Sequence, residues 1–140
     1  MPPRRHITSP QKSNVGERIR PRESGSGSTD VLAPIFCLRH IVPGWGVSDC
    51  ERDDQAAFAC TIERLSRLTW KEIRNAPRHG VGTEKIRRDS LNSAIPGSIT
   101  EDVEFLALRF SGKKAMVGFR SSEIFHVVWL DRSFTLYDHG

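Results

Sequence analysis

From Val103 to Tyr137 four β-prone runs are separated by short polar breaks, and this pattern constrains the fold more than any other feature. The runs are Val103 to Phe110, Ala115 to Arg120, Ile124 to Asp131 and Phe134 to Tyr137, with breaks at Ser111-Gly112, Ser121-Ser122 and Asp131-Arg132. Runs rich in Val, Ile and aromatic residues joined by such breaks form hairpins, so an antiparallel meander is expected. A two-residue loop at Ser111-Gly112 sets Leu108 opposite Ala115 and Leu106 opposite Val117. That register gathers Leu106, Leu108, Phe110, Ala115, Val117 and Phe119 on one face, which needs a cover. The other face then holds Phe105, Ala107, Arg109, Met116, Gly118 and Arg120, a mixture of apolar and cationic residues that fits a binding face or a solvated one.

The cover is expected upstream. Val31 to Val42 reads as a first strand closed by Pro43-Gly44. Ser48-Asp49-Cys50-Glu51 has the form of a capping box, and Phe58, Ile62, Leu65 and Leu68 follow at helical spacing. Thr69-Trp70-Lys71-Glu72 repeats the box, so the helix is expected to break near Leu68 and restart, running to about Asn75 before Pro77. Arg78 to Thr100 shows no sustained period and reads as a long connection, a kind of segment that often carries function. The fold class is therefore α+β: a strand, a helical pair, then an antiparallel meander, with the helices on one face.

Residues 1–30 cannot build a core and end in a Ser/Gly stretch, so a disordered basic tail is expected there, with a single domain over residues 31–140. The tail carries six Lys/Arg against three acids, whereas residues 31–140 carry fifteen against fourteen. No apolar run approaches the roughly 18 residues of a membrane span, and no secretory leader is visible, so a soluble cytoplasmic protein is expected. Cys37, Cys50 and Cys60 include no CxxC pair, and a metal site would have to recruit His40 at irregular spacing. No metal and no cofactor are expected.

Charge within the folded part is uneven. Arg64 to Arg88 contains eight Lys/Arg, among them Arg74, Arg78, Lys85, Arg87 and Arg88, against Glu72 and Glu84. Such a cluster attracts phosphate, or else it is a solvated helix face. The string Arg78-His79-Gly80-Val81-Gly82-Thr83-Glu84-Lys85-Ile86 places two glycines beside a histidine, a carboxylate and an amine; it suits either a ligand loop or a glycine-bearing turn. His126 shares a strand face with Ile124, Val128 and Leu130, which favours partial burial over catalysis. Tyr137-Asp138-His139 can project beside the sheet as acid or base, or fray.

The order of strand, helical pair and meander ending in polar and aromatic residues resembles the RelE/ParE superfamily of small bacterial toxins over about Ile35 to His139. The chain differs in its long Arg78 to Thr100 connection and in lacking a helix after the last strand. The strings Arg78 to Ile86 and Phe125 to Asp131 also look like those of an uncharacterised bacterial family. The toxin resemblance implies a metal-independent mRNA endoribonuclease in which the ribose 2′-OH attacks the neighbouring phosphate, with the ribosome and a cognate antitoxin protein as partners. It implies Arg109 and Arg120 for phosphate charge, with Tyr137 and His139 in the C-terminal catalytic position. Such chemistry needs positive charge and a proton shuttle, which Lys85 and Arg120, and His79, His126 or His139, can supply. Arg74, Arg78, Arg87, Arg88 and Arg109 are then the nucleic-acid-binding set. The alternative is a noncatalytic module that docks on nucleic acid or an acidic protein.

Overall fold

The computed structural model describes residues 28–77, 80 and 82–138. Of the disordered tail expected over residues 1–30, residues 1–27 lie outside the described residues. Strand β1 (Ile35–Cys37) leads through a 3-10 turn (Val47–Asp49) to helices α1 (Arg52–Leu65) and α2 (Trp70–Asn75). Strands β2 (Thr83–Ile86), β3 (Phe105–Ser111), β4 (Lys114–Ser121) and β5 (Ile124–Asp131) follow. They form one five-stranded sheet of order β1-β5-β4-β3-β2, with β1 parallel to β5 and every other pair antiparallel. The chain is thus α+β with a mixed sheet.

The two-helix reading holds, and its cause is the second capping box: Thr69 Oγ1 accepts from the Glu72 N–H at 3.2 Å while Glu72 Oε1 accepts from the Thr69 N–H at 2.9 Å. The first box does not form. Asp49 instead accepts from the Gly46 N–H, Ser48 lies in the 3-10 turn, and Glu51 is the residue before α1. Helix α1 buries Asp54, Phe58, Thr61 and Leu65, spaced four, three and four apart. Asp54 accepts both its bonds from Lys114 Nζ, at 3.0 and 2.8 Å, tying α1 to the β3–β4 turn and holding the ammonium more firmly protonated.

The register of β3 and β4 differs from the expectation. The loop is Gly112-Lys113, with Gly112 at φ 58°, and a bulge between Arg109 and Ser111 puts Leu108 opposite Met116. A one-residue slip exchanges faces. Leu106, Leu108, Phe110 and Met116 therefore meet Phe58, Leu65, Trp70 and Ile73 of the helices, while Ala115 and Val117 turn away with Phe105 and Ala107. A second bulge, opposite Val117 and Gly118, lets Val128 and Trp129 both join the layer away from the helices and returns Leu130 to the helix side. His126 accordingly does not share a face with Leu130.

Nor is the face away from the helices open. Ile86, Ile99, Leu136 and Tyr137 bury against it, with Val42, Trp45, Leu91 and Ile95 packed around them. Phe134 to Tyr137 is not a strand. The buried Asp131 carboxylate accepts the N–H groups of Thr135 and Leu136, at 3.0 and 3.3 Å, and turns the chain back over the sheet. The long connection also contains β2, paired along β3 from Thr83 opposite Leu108 to Ile86 opposite Phe105.

Candidate functional site: a cationic groove beside Trp70

A groove of about 500 Å³ opens on the helix side of the sheet, between α2 and the strands β2, β3 and β4. Alternation along the strands places Thr83 and Lys85 of β2, Leu106 of β3 and Arg120 of β4 on its wall, with Glu104 just before β3. Helix α2 contributes Trp70 and Arg74, and Thr29 and Ser122 close the rim. Three of the expected site residues, Arg74, Lys85 and Arg120, therefore converge.

Arg120 is the most constrained of them. Its guanidinium lies over the Trp70 ring at 4.4 Å. Its Nε donates to the Ser122 carbonyl at 2.7 Å and its Nη2 to Thr29 Oγ1 at 2.8 Å. The Trp70 ring is buried and fixed in turn, because its Nε1 donates to the Glu123 carbonyl at 2.9 Å. Asp30 bridges two cations, one oxygen 2.8 Å from Arg120 and the other 2.5 Å from Arg74. Arg120 first, and then Arg74, hold its carboxyl below the usual carboxylate range. Lys85 stands 3.4 Å from Glu104 with both side chains exposed, a pair that solvent largely screens.

The remaining expected residues are elsewhere. His79, His139 and Arg78 lie outside the described residues. Arg109 pairs with Ala115 and Tyr137 is buried, both on the side of the sheet away from the groove. Arg88 donates to the Thr100 carbonyl and sits 5.5 Å over Phe105, and the exposed Arg87 pairs with Asp89. Gly82 serves a turn, since a Cβ there would lie 2.7 Å from the Pro77 carbonyl oxygen, to which the Gly82 N–H donates at 3.0 Å across the same bend.

His126 pairs with Phe119 across the strands and stacks on its ring at 4.7 Å; His40 lies 5.3 Å away. Arg120 is opposite Phe125, so strand alternation puts His126 on the other face. Burial first, and the neighbouring His40 second, push its imidazole below the ordinary histidine value. A lowered value means that the unfolded chain binds this proton before the folded one, so stability falls as pH drops below about 6.5. Acidifying from pH 7.5 to 5.5 is expected to lower the melting temperature of the wild type more than that of His126→Phe. Parallel slopes would show that another group couples folding to pH.

Sequence reasoning missed Asp30, Thr29, Trp70 and Glu104 as groove residues. In the sequence Asp30 falls at the end of the basic tail and Trp70 marks only a helix start; the one visible signal is Trp70 interleaved with Lys71 and Arg74. Among the described residues no group of three or more His, Cys, Asp or Glu can hold a metal ion, and no helix is long and apolar enough to cross a membrane. No protein-family model, no curated protein and no solved structure matches the chain.

Proposed function

We propose that the chain binds RNA, taking the sugar-phosphate backbone into the groove beside Trp70. The observation that supports this reading is the convergence of Arg74, Lys85 and Arg120 on one concave wall, with Thr29, Thr83 and Ser122 as neutral hydrogen-bonding neighbours. Guanidinium groups fit phosphate oxygens in pairs, and Arg120 is already oriented by a ring and a carbonyl. The choice of RNA, and of the ribosome and an antitoxin protein as partners, follows the RelE/ParE resemblance. Binding is favoured over cleavage because neither His126 nor Tyr137 faces the groove, and a proton shuttle must reach the reacting phosphate. Cleavage would have to draw on His79 or His139.

Arg120→Ala is expected to weaken binding of a short single-stranded RNA by about tenfold, and Lys85→Ala by less, because Arg120 is fixed by a ring and a carbonyl whereas Lys85 has only an exposed, screened ion pair. Arg22→Ala in the tail is the control. Equal losses at Arg120 and Arg22, measured by fluorescence anisotropy at two salt concentrations, would mean diffuse attraction and no built site. Incubation with ribosomes and mRNA in EDTA separates the two activities: intact message bound by the protein supports the binding module, and shortened message supports the ribonuclease.

A further inference from the structure

Beside the groove a carboxylate of the chain itself engages two of the lining cations that the proposed ligand's charge would meet. One Asp30 oxygen faces Arg120 and the other faces Arg74, so the carboxylate bridges two guanidinium groups as a phosphate does. We propose that Asp30 is an internal stand-in for a backbone phosphate, and that RNA enters the groove by displacing it. This regulation rests on the reading of the groove as an RNA site.

The segment that carries Asp30 is held by few contacts. Residues 29 to 32 form a turn closed by the Leu32 N–H donating to the Thr29 carbonyl at 3.0 Å. The turn is fastened to α2 by two backbone bonds, from the Lys71 N–H to the Asp30 carbonyl and from the Trp70 N–H to the Leu32 carbonyl, each 2.9 Å. Its apolar side chains add little, because Val31 is 69% and Leu32 38% exposed. Apart from the two guanidinium groups, then, hydrogen bonds and not core packing hold the turn, and water can replace those. Arg120 behaves differently. With Asp30 withdrawn it still has the Trp70 ring and the Ser122 carbonyl, so the anion seat persists when its occupant leaves.

Phosphate and carboxylate therefore compete for one seat. The Arg120 and Arg74 contacts keep Asp30 ionised, so the competition operates throughout the neutral range. Removing the charge with little change of shape should favour the ligand. Asp30→Asn is expected to tighten binding of a ten-nucleotide single-stranded RNA about fivefold or more and to steepen its salt dependence, because two cations become available to phosphate. If Asp30→Asn binds no tighter while Arg120→Ala binds more weakly, the groove takes RNA but Asp30 does not gate it, and this inference is overturned alone. If Arg120→Ala binds as well as the wild type, both this inference and the RNA reading are overturned. The unaltered chain provides a measurement that does not depend on how a variant folds. Saturation with the same RNA should speed hydrogen exchange at the Leu32 amide, and an unchanged rate would overturn the displacement.

Discussion

Replacing Gly118 with Ala is expected to destabilise the domain by more than about 3 kcal/mol, out of the roughly 5–15 kcal/mol typical of a folded domain. A Cβ at this position would press into the His126 carbonyl oxygen, while standing 2.8 Å from the carbonyl carbon and 3.0 Å from Val127 Cα. All three atoms belong to backbone, so no rotamer change relieves the contact. Strand β4 is the middle strand of the five, bonded on both sides, and cannot swing away. The only relief is to open the bulge opposite Val117 and Gly118, which would disturb the placement of Val128 and Trp129 in their layer. Gly112→Ala is the informative comparison. It has open space and only a positive φ of 58° against it, so about 1–2 kcal/mol is expected. Urea unfolding of the two variants checks the contrast, and near-equal midpoints would show that the bulge yields cheaply.

Trp70→Ala is expected to remove about 3–5 kcal/mol of stability and, in whatever fraction stays folded, to weaken RNA binding at least as much as Arg120→Ala. The indole is fully enclosed in the core between helices and sheet, with the Phe125 ring 6.1 Å away. Truncation leaves a cavity, deprives the Glu123 carbonyl of its donor and takes the supporting ring from under Arg120. Trp70→Phe separates these effects. It keeps most of the packing and a smaller ring but loses the hydrogen bond, so a cost nearer 1–2 kcal/mol is expected. Wild-type affinity in a folded Trp70→Phe chain that has lost its Arg120 contact, judged by the chemical shift of Arg120 Nε, would show that the ring does not position the guanidinium for RNA.

Local signals in the chain are legible where the determinant is itself local. The Thr69 and Glu72 pair announces the second helix because both partners of the cap lie within four residues. The three hairpin strands are visible for the same reason. What the chain hides is set by residues far apart. The face swap in β4 comes from a bulge at the β3–β4 turn, and nothing in Ser111-Gly112-Lys113 chooses between the two registers. The polar string Thr83-Glu84-Lys85-Ile86 becomes a strand only because β3 offers it an edge. Of the groove, its cations stand out as a charge cluster, but Asp30 is separated from Arg74 by 44 residues and from Arg120 by 90, and no spacing rule links such positions. His126 lies beside Phe125 in sequence yet in the opposite layer, a separation that follows from strand alternation once the helix side is known.

The parallel pairing of β1 bears on how the sheet can be completed during synthesis. Among the described residues the only strand beside β1 is β5, and Ile35 meets Ile124 across 89 positions of chain. While a ribosome has delivered β1, both helices and β2 through β4, the first strand still has no edge to join, because the strand that receives it is the last to emerge. The β3–β4–β5 hairpins close short loops, whereas docking β1 closes a long one. Until then Phe36 cannot meet Phe125, and the far edge of the nascent sheet stays open to whatever extended chain is at hand.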